Sequence, residues 1–420
     1  MTKYHKGTFT DGYEGYWRKD KADVEEAIKS SVITLDTNAL LSIYRMERSA
    51  REEYFAVLDA LAPRIWIPRQ VADEFHRNRI SSLDTHLNTL HKKSEAVNES
   101  IKELRKNLRD LAKLRSLAGP RSEEYMQPFN EALSGIESRI ESDLSGFDLS
   151  TGGLASRDPI LERLSVLLDG KVGEKPNERK KSDLEEEARR RGEGEIPPGY
   201  KDFKSKGEAG LGDCLLWLQM VEYAMASSQN ILFVSTDVKD DWIRYQCGLA
   251  IGPRPELIEE MQLRAGANYH HVTLSELLSR SGQVLEVSVS QNTIDQATER
   301  QKHQTRQREL GNQRAAIADE LSRVSNEMGA AKEVLSAQKS ELERLVTQFQ
   351  GLQDQANKAP LDEREQHNAA LIEAHRHLQS YSTATEDLAT VLRKLAEKEL
   401  RLFSRLRNMD AVLSDQVTDA

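Results

Sequence analysis

A chain of 420 residues is too long for one ordinary core and long enough for two or three units. Apolar residues make up 38%, charged residues 30% and aromatics 6%, a balance that suits long polar-faced helices and disfavours an all-β protein. The formal net charge of −10 argues against nonspecific coating of nucleic acid, though not against a local basic patch, and two cysteines exclude a disulfide framework or a multi-thiolate zinc site.

Residues 1–30 lack the apolar core of a signal peptide, and no run reaches about eighteen apolar residues, so no membrane partner and a reducing cytoplasm are expected. VITLD (32–36) is short, apolar and β-branched and predicts a buried parallel strand. IWIP (65–68) predicts a second strand, and Pro68 then opens the helix RQVADEFHRNR. From Leu83 the pattern becomes a heptad stripe, with Leu90, Val97, Leu104 and Leu111 on one line and Leu87, Ile101 and Leu108 on the other. AGPR interrupts it. Met126, Phe129, Leu133, Ile136, Ile140 and Leu144 mark a second amphipathic helix, so the pair reads as an inserted helical hairpin.

DPILERLSVLL (158–168) is a capped helix. The stretch from Lys171 to Glu195 is almost all charge or glycine and is expected to be a mobile loop. IPPGYKDFK reads as a rigid turn, GDCLLWLQMVEYAM as an apolar helix, ILFVS as a strand, GPRPELIEEMQLRAG as a helix and YHHV as an edge strand. Cys214 and Cys247 lie beside apolar residues and are expected to be buried structural thiols. This alternation argues for an α/β sheet of mostly parallel strands. After Gln291 two heptad stripes flank the turn ANKAPLDE. One runs through Ile317, Leu321 and Val324, the other through Leu388, Leu395 and Leu402, which predicts an antiparallel coiled-coil hairpin.

Four acids recur at strand ends or helix starts. Asp36 ends VITLD, Glu74 lies one turn into the helix after IWIP, Asp213 opens GDCLLW, and Asp237 ends ILFVS. In an open α/β sheet ligands gather at the carboxyl ends of the strands, which would bring these four together. Grouped carboxylates repel one another, and Mg²⁺ or Mn²⁺ relieves this with oxygen ligands. Taken singly, Asp213 and Asp237 also read as helix caps, since each is expected to precede a helix. His270, His271, His375 and His377 lack zinc-site partners, and no Walker-type GxxxxGK[ST] or Gly-x-Ser-x-Gly occurs.

LDTNALLSIYR, IPPGYKDFK, GDCLLW, STDVKDDW and GPRPELIEEM, with FTDGYEGYWR before them, resemble in their order the PIN-like domains of the larger bacterial subgroup. The resemblance covers roughly residues 8 to 285. It implies a PIN-like fold, a parallel sheet flanked by helices, over 1–290. The helical insertion is then placed at 81–170, the charged loop at 171–195 and the coiled-coil hairpin at 291–420. It also implies metal-dependent phosphodiester hydrolysis, with catalytic and metal-binding acids at Asp36, Glu74, Asp213 and Asp237. Asn38 and Thr236 match supporting polar positions, and Lys239, Asp241 and Trp242 match the segment after the last acid. Many members carry a further acid where Val238 stands here, a gap that Asp240 is placed to fill. Asp202 reads equally as a site residue and as a turn residue. Lys201, Lys204, Lys206, Lys239, Arg77 and Arg79 are candidates to hold substrate phosphates, against solvated surface charge as the alternative.

Two functions follow from this reading. One is a nuclease cutting RNA or single-stranded nucleic acid, RNA and DNA both remaining open, as a stress or phage-defence effector. The other is a weakly active or inactive PIN-like module serving a coiled-coil scaffold. The coiled coil is expected to make a homo-oligomer or to dock a protein partner.

Overall fold

VITL folds as β1 (Val32–Leu35), and all four residues are buried. It follows α1 (Lys21–Ser30), whose start is fixed by a capping box between Asp20 and Asp23. β1 leads into α2 (Thr37–Leu41) and α3 (Arg48–Leu61). In the computed structural model residues 9, 13–17, 19–236, 239–247, 249–358, 360 and 364–417 are described. The chain divides into two units, Met1–Arg306 and Gln307–Gln416.

In the first unit α4 (Arg69–Leu114) runs for 46 residues, joining the two helical segments expected on either side of Leu83. Nothing interrupts it, because this stretch contains neither glycine nor proline. It pairs with α5 (Pro120–Ser145), and Arg105 donates a two-pronged bond to Glu137 at 2.9 and 2.7 Å. Ile101, Ala112, Met126 and Leu133 are buried, whereas Val97, Leu104 and Leu111 are exposed, because one partner helix covers one side only. α6 (Thr151–Ser156) and α7 (Pro159–Leu167) follow, the latter capped by Asp158 accepting from Leu161 N.

The stretch 171–195 is not a mobile loop. Val172 forms a parallel bridge to Ile67, and α8 (Glu178–Glu193) occupies most of the rest. Glu, Lys, Arg, Leu and Ala are good helix formers, and Asn177 caps the first turn by accepting from Lys180 N. Charge alone therefore predicted mobility wrongly. Arg191 is buried and grips Glu260 at 2.7 and 2.8 Å, and Leu184 and Ala188 pack with Leu211, Cys214 and Leu218.

α9 (Tyr200–Lys206) and α10 (Gly212–Ser227) lead to β2 (Ile231–Ser235). A second correction follows STDVKDDW, where a helix was expected. The chain instead forms the antiparallel pair β3 (Ile243–Gln246) and β4 (Leu249–Pro253) before α11 (Pro255–Ala265). β5 (Tyr269–Thr273) and α12 (Leu274–Val284) complete the set. The main sheet has the order β1-β2-β5, all parallel, with Val32 opposite Ile231 and Ile231 opposite Tyr269. IWIP contributes single bridges rather than a strand, since Pro68 has no N–H to continue one. Trp217, Tyr44, Tyr54 and Ile33 lie in the core without exposure. Cys214 is buried, but Cys247 is exposed, contrary to expectation, because its apolar neighbours lie on the β3–β4 pair beyond the core.

The second unit contains most of α13 (Gln291–Lys358) and of α14 (Arg364–Val417). Arg314 pairs with Asp410, Glu320 with Lys398 at 2.8 Å, and the tilted rings of Phe349 and His375 lie 5.7 Å apart between centroids. Partners fall along α14 as positions rise along α13, so the helices are antiparallel. Ile317, Val324 and Leu402 are the centre of their seam, with Leu321, Leu395, Leu406 and Met409 around them. Among the described residues no helix is long and apolar enough to cross a membrane.

Candidate functional site

The carboxyl end of β1 is tied to β2 by Asp36 N donating to Val234 O at 2.8 Å. Asp36 stands at the N-cap of α2, yet its side chain makes no cap bond. It lines a cleft of about 260 Å³ at the strand ends. Asn38 lines the same cleft from the first turn of α2.

Glu74 enters from α4. Gln70, Glu74 and Asn78 are spaced by four and share one helix face. Gln70 Nε2 donates to Glu74 Oε1 at 2.6 Å and Thr37 Oγ1 to Oε2 at 2.8 Å, so both oxygens are oriented by neutral donors. Gln219 on α10 accepts the Gln70 N–H at 3.0 Å, which fixes the start of α4. Gly212 leaves room for Glu74 in its present orientation: a Cβ there would sit 2.6 Å from Glu74 Oε1.

Asp213 lies within the first turn of α10 and makes no cap bond of the kind its sequence position suggested, because the N-cap position falls at Leu211. Its Oδ2 accepts from Lys239 Nζ at 2.6 Å and from Trp242 Nε1 at 3.2 Å. Lys239 also donates to Asp202 Oδ2 at 2.8 Å. Asp202 is thereby a cleft residue rather than a turn residue. Burial acts to lower the Lys239 pKa, but the charges of Asp213 and Asp202 outweigh it and hold it well above the usual lysine range. Burial likewise acts to raise the Asp202 pKa, and Lys239 and Lys206 reverse this and hold it low.

Two more buried groups support the cleft. Asp241 Oδ2 accepts the Gly199 N–H at 2.9 Å and so anchors the start of α9, which carries Asp202. Burial, then the charge of Asp213, pushes its carboxyl up to about 6. It supports α9. His271 on β5 shares a 2.8 Å hydrogen bond between its Nε2 and Ser235 Oγ, and burial pushes its imidazole down to about 3, so it is neutral at pH 7.

The cleft thus brings together Asp36, Asn38, Glu74, Asp202, Asp213 and Lys239, with Lys206 at its rim. Asp237 and Val238 lie outside the described residues. Thr236 is buried, and its Oγ1 has no hydrogen-bond partner among the described residues. Asp240 does not line the cleft. Its side chain pairs with Lys201 and its carbonyl accepts from Arg254 at 3.1 Å. Lys204 pairs with Glu195 at 2.6 Å, Arg79 is held by Asp158 and the His76 carbonyl, and Arg77 is exposed away from the lining. Sequence reasoning missed Thr37, Gln70, Asn78, Gly212, Ser235 and His271. The four-residue spacing around Glu74 was the one available signal for Gln70 and Asn78.

Among the described residues no three His, Cys, Asp or Glu side chains stand close enough to hold a metal ion. Asp202 and Asp213 are drawn towards Lys239, and Glu74 towards Thr37 and Gln70. The donor set is nonetheless made of hard oxygens in a polar cleft, which suits Mg²⁺ or Mn²⁺ and no soft metal. Asp36, Glu74 and Asp213 are the described residues that would hold such an ion.

No curated protein and no solved structure matches the chain. A family model described as a PIN-like domain matches residues 32–257, from β1 into α11 and across every described cleft acid, and covers more than half of the sequence. The chain belongs to the PIN-like domain family.

Proposed function

We propose that this protein is a metal-dependent nuclease that hydrolyses phosphodiester bonds in RNA or single-stranded nucleic acid. The observation that carries the reading is the convergence of Asp36, Glu74, Asp202 and Asp213, from four separate segments, on one cleft at the carboxyl ends of parallel strands. Domains of this family are usually nucleases and typically use divalent metals such as Mg²⁺. When bound, such an ion supplies an activated water and neutralises charge on the phosphate. Asp36, Glu74, Asp213 and Asp237 would hold it. Thr37 and Gln70 keep the Glu74 carboxylate oriented. Asn38 orients a neighbouring carboxylate or water, and Lys206, at the cleft rim, offers positive charge to substrate oxygens. Products carry 3′-hydroxyl and 5′-phosphate ends. The hairpin of α13 and α14 serves as an oligomerisation or partner-docking element, in a stress or phage-defence setting.

The test incubates the full chain with labelled single- and double-stranded RNA and DNA in Mg²⁺, Mn²⁺ or EDTA. Cleavage of a single-stranded substrate that EDTA abolishes supports the reading. No cleavage of any of the four polymers contradicts it.

One observation favours a second reading. Asp202 and Asp213 are both engaged by Lys239, so the cleft at rest holds no ready set of three metal ligands among the described residues. A PIN-like binding module with weak or no catalysis, working through its coiled coil, fits this. Millimolar Mn²⁺ separates the two: a metal-competent site raises the melting temperature, and a module without one is unmoved.

A further inference from the structure

The charges in the cleft are not evenly mixed. Glu74 is held by two neutral donors, Thr37 at 2.8 Å and Gln70 at 2.6 Å. Asp202 and Asp213 instead share one ammonium, at 2.8 and 2.6 Å. Lys206 reaches Asp202 only at 3.5 Å and is largely exposed. Lys239 differs from a surface lysine in how it is held. Its side chain is 20% exposed, and its carbonyl accepts from Trp242 N at 3.0 Å and Ile243 N at 2.8 Å, which fixes its backbone. Its partners are fixed as well, Asp202 through the Asp241–Gly199 anchor of α9 and Asp213 through Trp242 Nε1. An exposed ion pair loses much of its Coulomb energy to side-chain entropy and water, whereas this one is preorganised and shielded.

A cation bridging two carboxylates relieves their repulsion whether it is an ammonium or a metal. We infer that Lys239 is a built-in cation that occupies the Asp202–Asp213 half of the cleft in place of a second divalent ion. The protein is thereby limited to one metal, towards Asp36 and Glu74, with Asp213 contributing only the oxygen that Lys239 and Trp242 do not engage. The inference rests on the metal-dependent reading above and deepens it: Lys239 is a positioning residue that sets how many ions the site takes.

The test is Mn²⁺ binding to the full chain, read as loss of the free-ion electron paramagnetic resonance signal. It needs no nucleic acid and no turnover. Wild type is expected to bind one Mn²⁺, and Lys239→Arg, which keeps the charge, to do the same. Lys239→Gln is expected to take a second ion, or to bind the first at least tenfold more tightly. Lys239→Met, of similar length, replaces it if circular dichroism shows that the glutamine variant is unfolded. A neutral variant with wild-type stoichiometry and affinity makes Lys239 a structural pin and overturns the inference alone. Two ions on wild type also overturn it. No Mn²⁺ on wild type removes the metal-dependent reading and the inference together.

Discussion

Trp217 in the sheet unit has no exposed surface, while the most buried apolar side chains described in the hairpin unit, Val324, Leu402 and Ile317, keep 3%, 3% and 7%. The difference follows from geometry. A layered sheet covers residues from two sides, whereas two helices share one seam of about two residues in seven. Only the first arrangement excludes enough water to shift ionisable groups strongly. Cys214 is pushed up to about 12, Asp241 up to about 6 and His271 down to about 3, each with burial as the leading cause, and all three lie in the sheet unit. The chemistry sits where charges can be held apart from water.

The contrast can be broken at its sparsest point. Leu402→Ala removes one of the few buried contacts in the hairpin and is expected to cost about 2–4 kcal/mol in urea unfolding. Its neighbour Phe403 is 58% exposed, so Phe403→Ala is expected to stay within about 0.5 kcal/mol. Equal effects would mean that the seam is not as narrow as the burial pattern shows.

Asp241 sharpens the contrast from the other side. Burial lifts its folded-state pKa to about 6, above the ordinary aspartate value of 3.8, so the folded protein holds this proton to higher pH than the unfolded chain. Its contribution to stability therefore declines as pH rises from about 4 to 6, and the cost is fully present above that. Asp241→Asn keeps an acceptor for Gly199 and removes the charge. It is expected to gain up to about 3 kcal/mol over wild type at pH 7 and nothing near pH 4. His271 acts in the opposite sense, since its depressed pKa makes stability fall as pH drops below about 6.5, so the reading is the difference between variant and wild type. A difference that does not change with pH would contradict the assignment.

The smallest effect is expected at Gly212. A methyl group there meets Glu74 Oε1, the end of a side chain that can turn aside. Gly212→Ala should therefore leave the melting temperature within about 2 °C. It should lower cleavage about tenfold, roughly 1.4 kcal/mol of lost positioning. Unchanged cleavage would mean that Glu74 does not need its present orientation.

Much of the site was legible because strand ends are legible. Asp36 follows a β-branched apolar run, and Glu74 and Asp213 sit at helix starts that the alternation of elements brings to the same edge. The antiparallel hairpin was legible from its heptads. What stayed hidden depends on pairings between distant segments. The neutral donors around Glu74 come from α2 and α4, and nothing in GYKD told that Asp202 would share Lys239 with Asp213. α8 was missed because its charge obscured its helix propensity and the short Leu184–Ala188 face that packs inward. The β3–β4 pair was missed because its strands are short and largely exposed.

On the proposed function, the acids converging at the strand ends carry the cutting of nucleic acid. Asp36→Asn alters no core packing and removes one charge from the cleft. With labelled single-stranded RNA or DNA and Mn²⁺, wild type is expected to cleave. The variant is expected to lose at least about a hundredfold, roughly 2.7 kcal/mol, at an unchanged melting temperature. A folded Asp36→Asn protein that cleaves as fast as wild type would contradict the account.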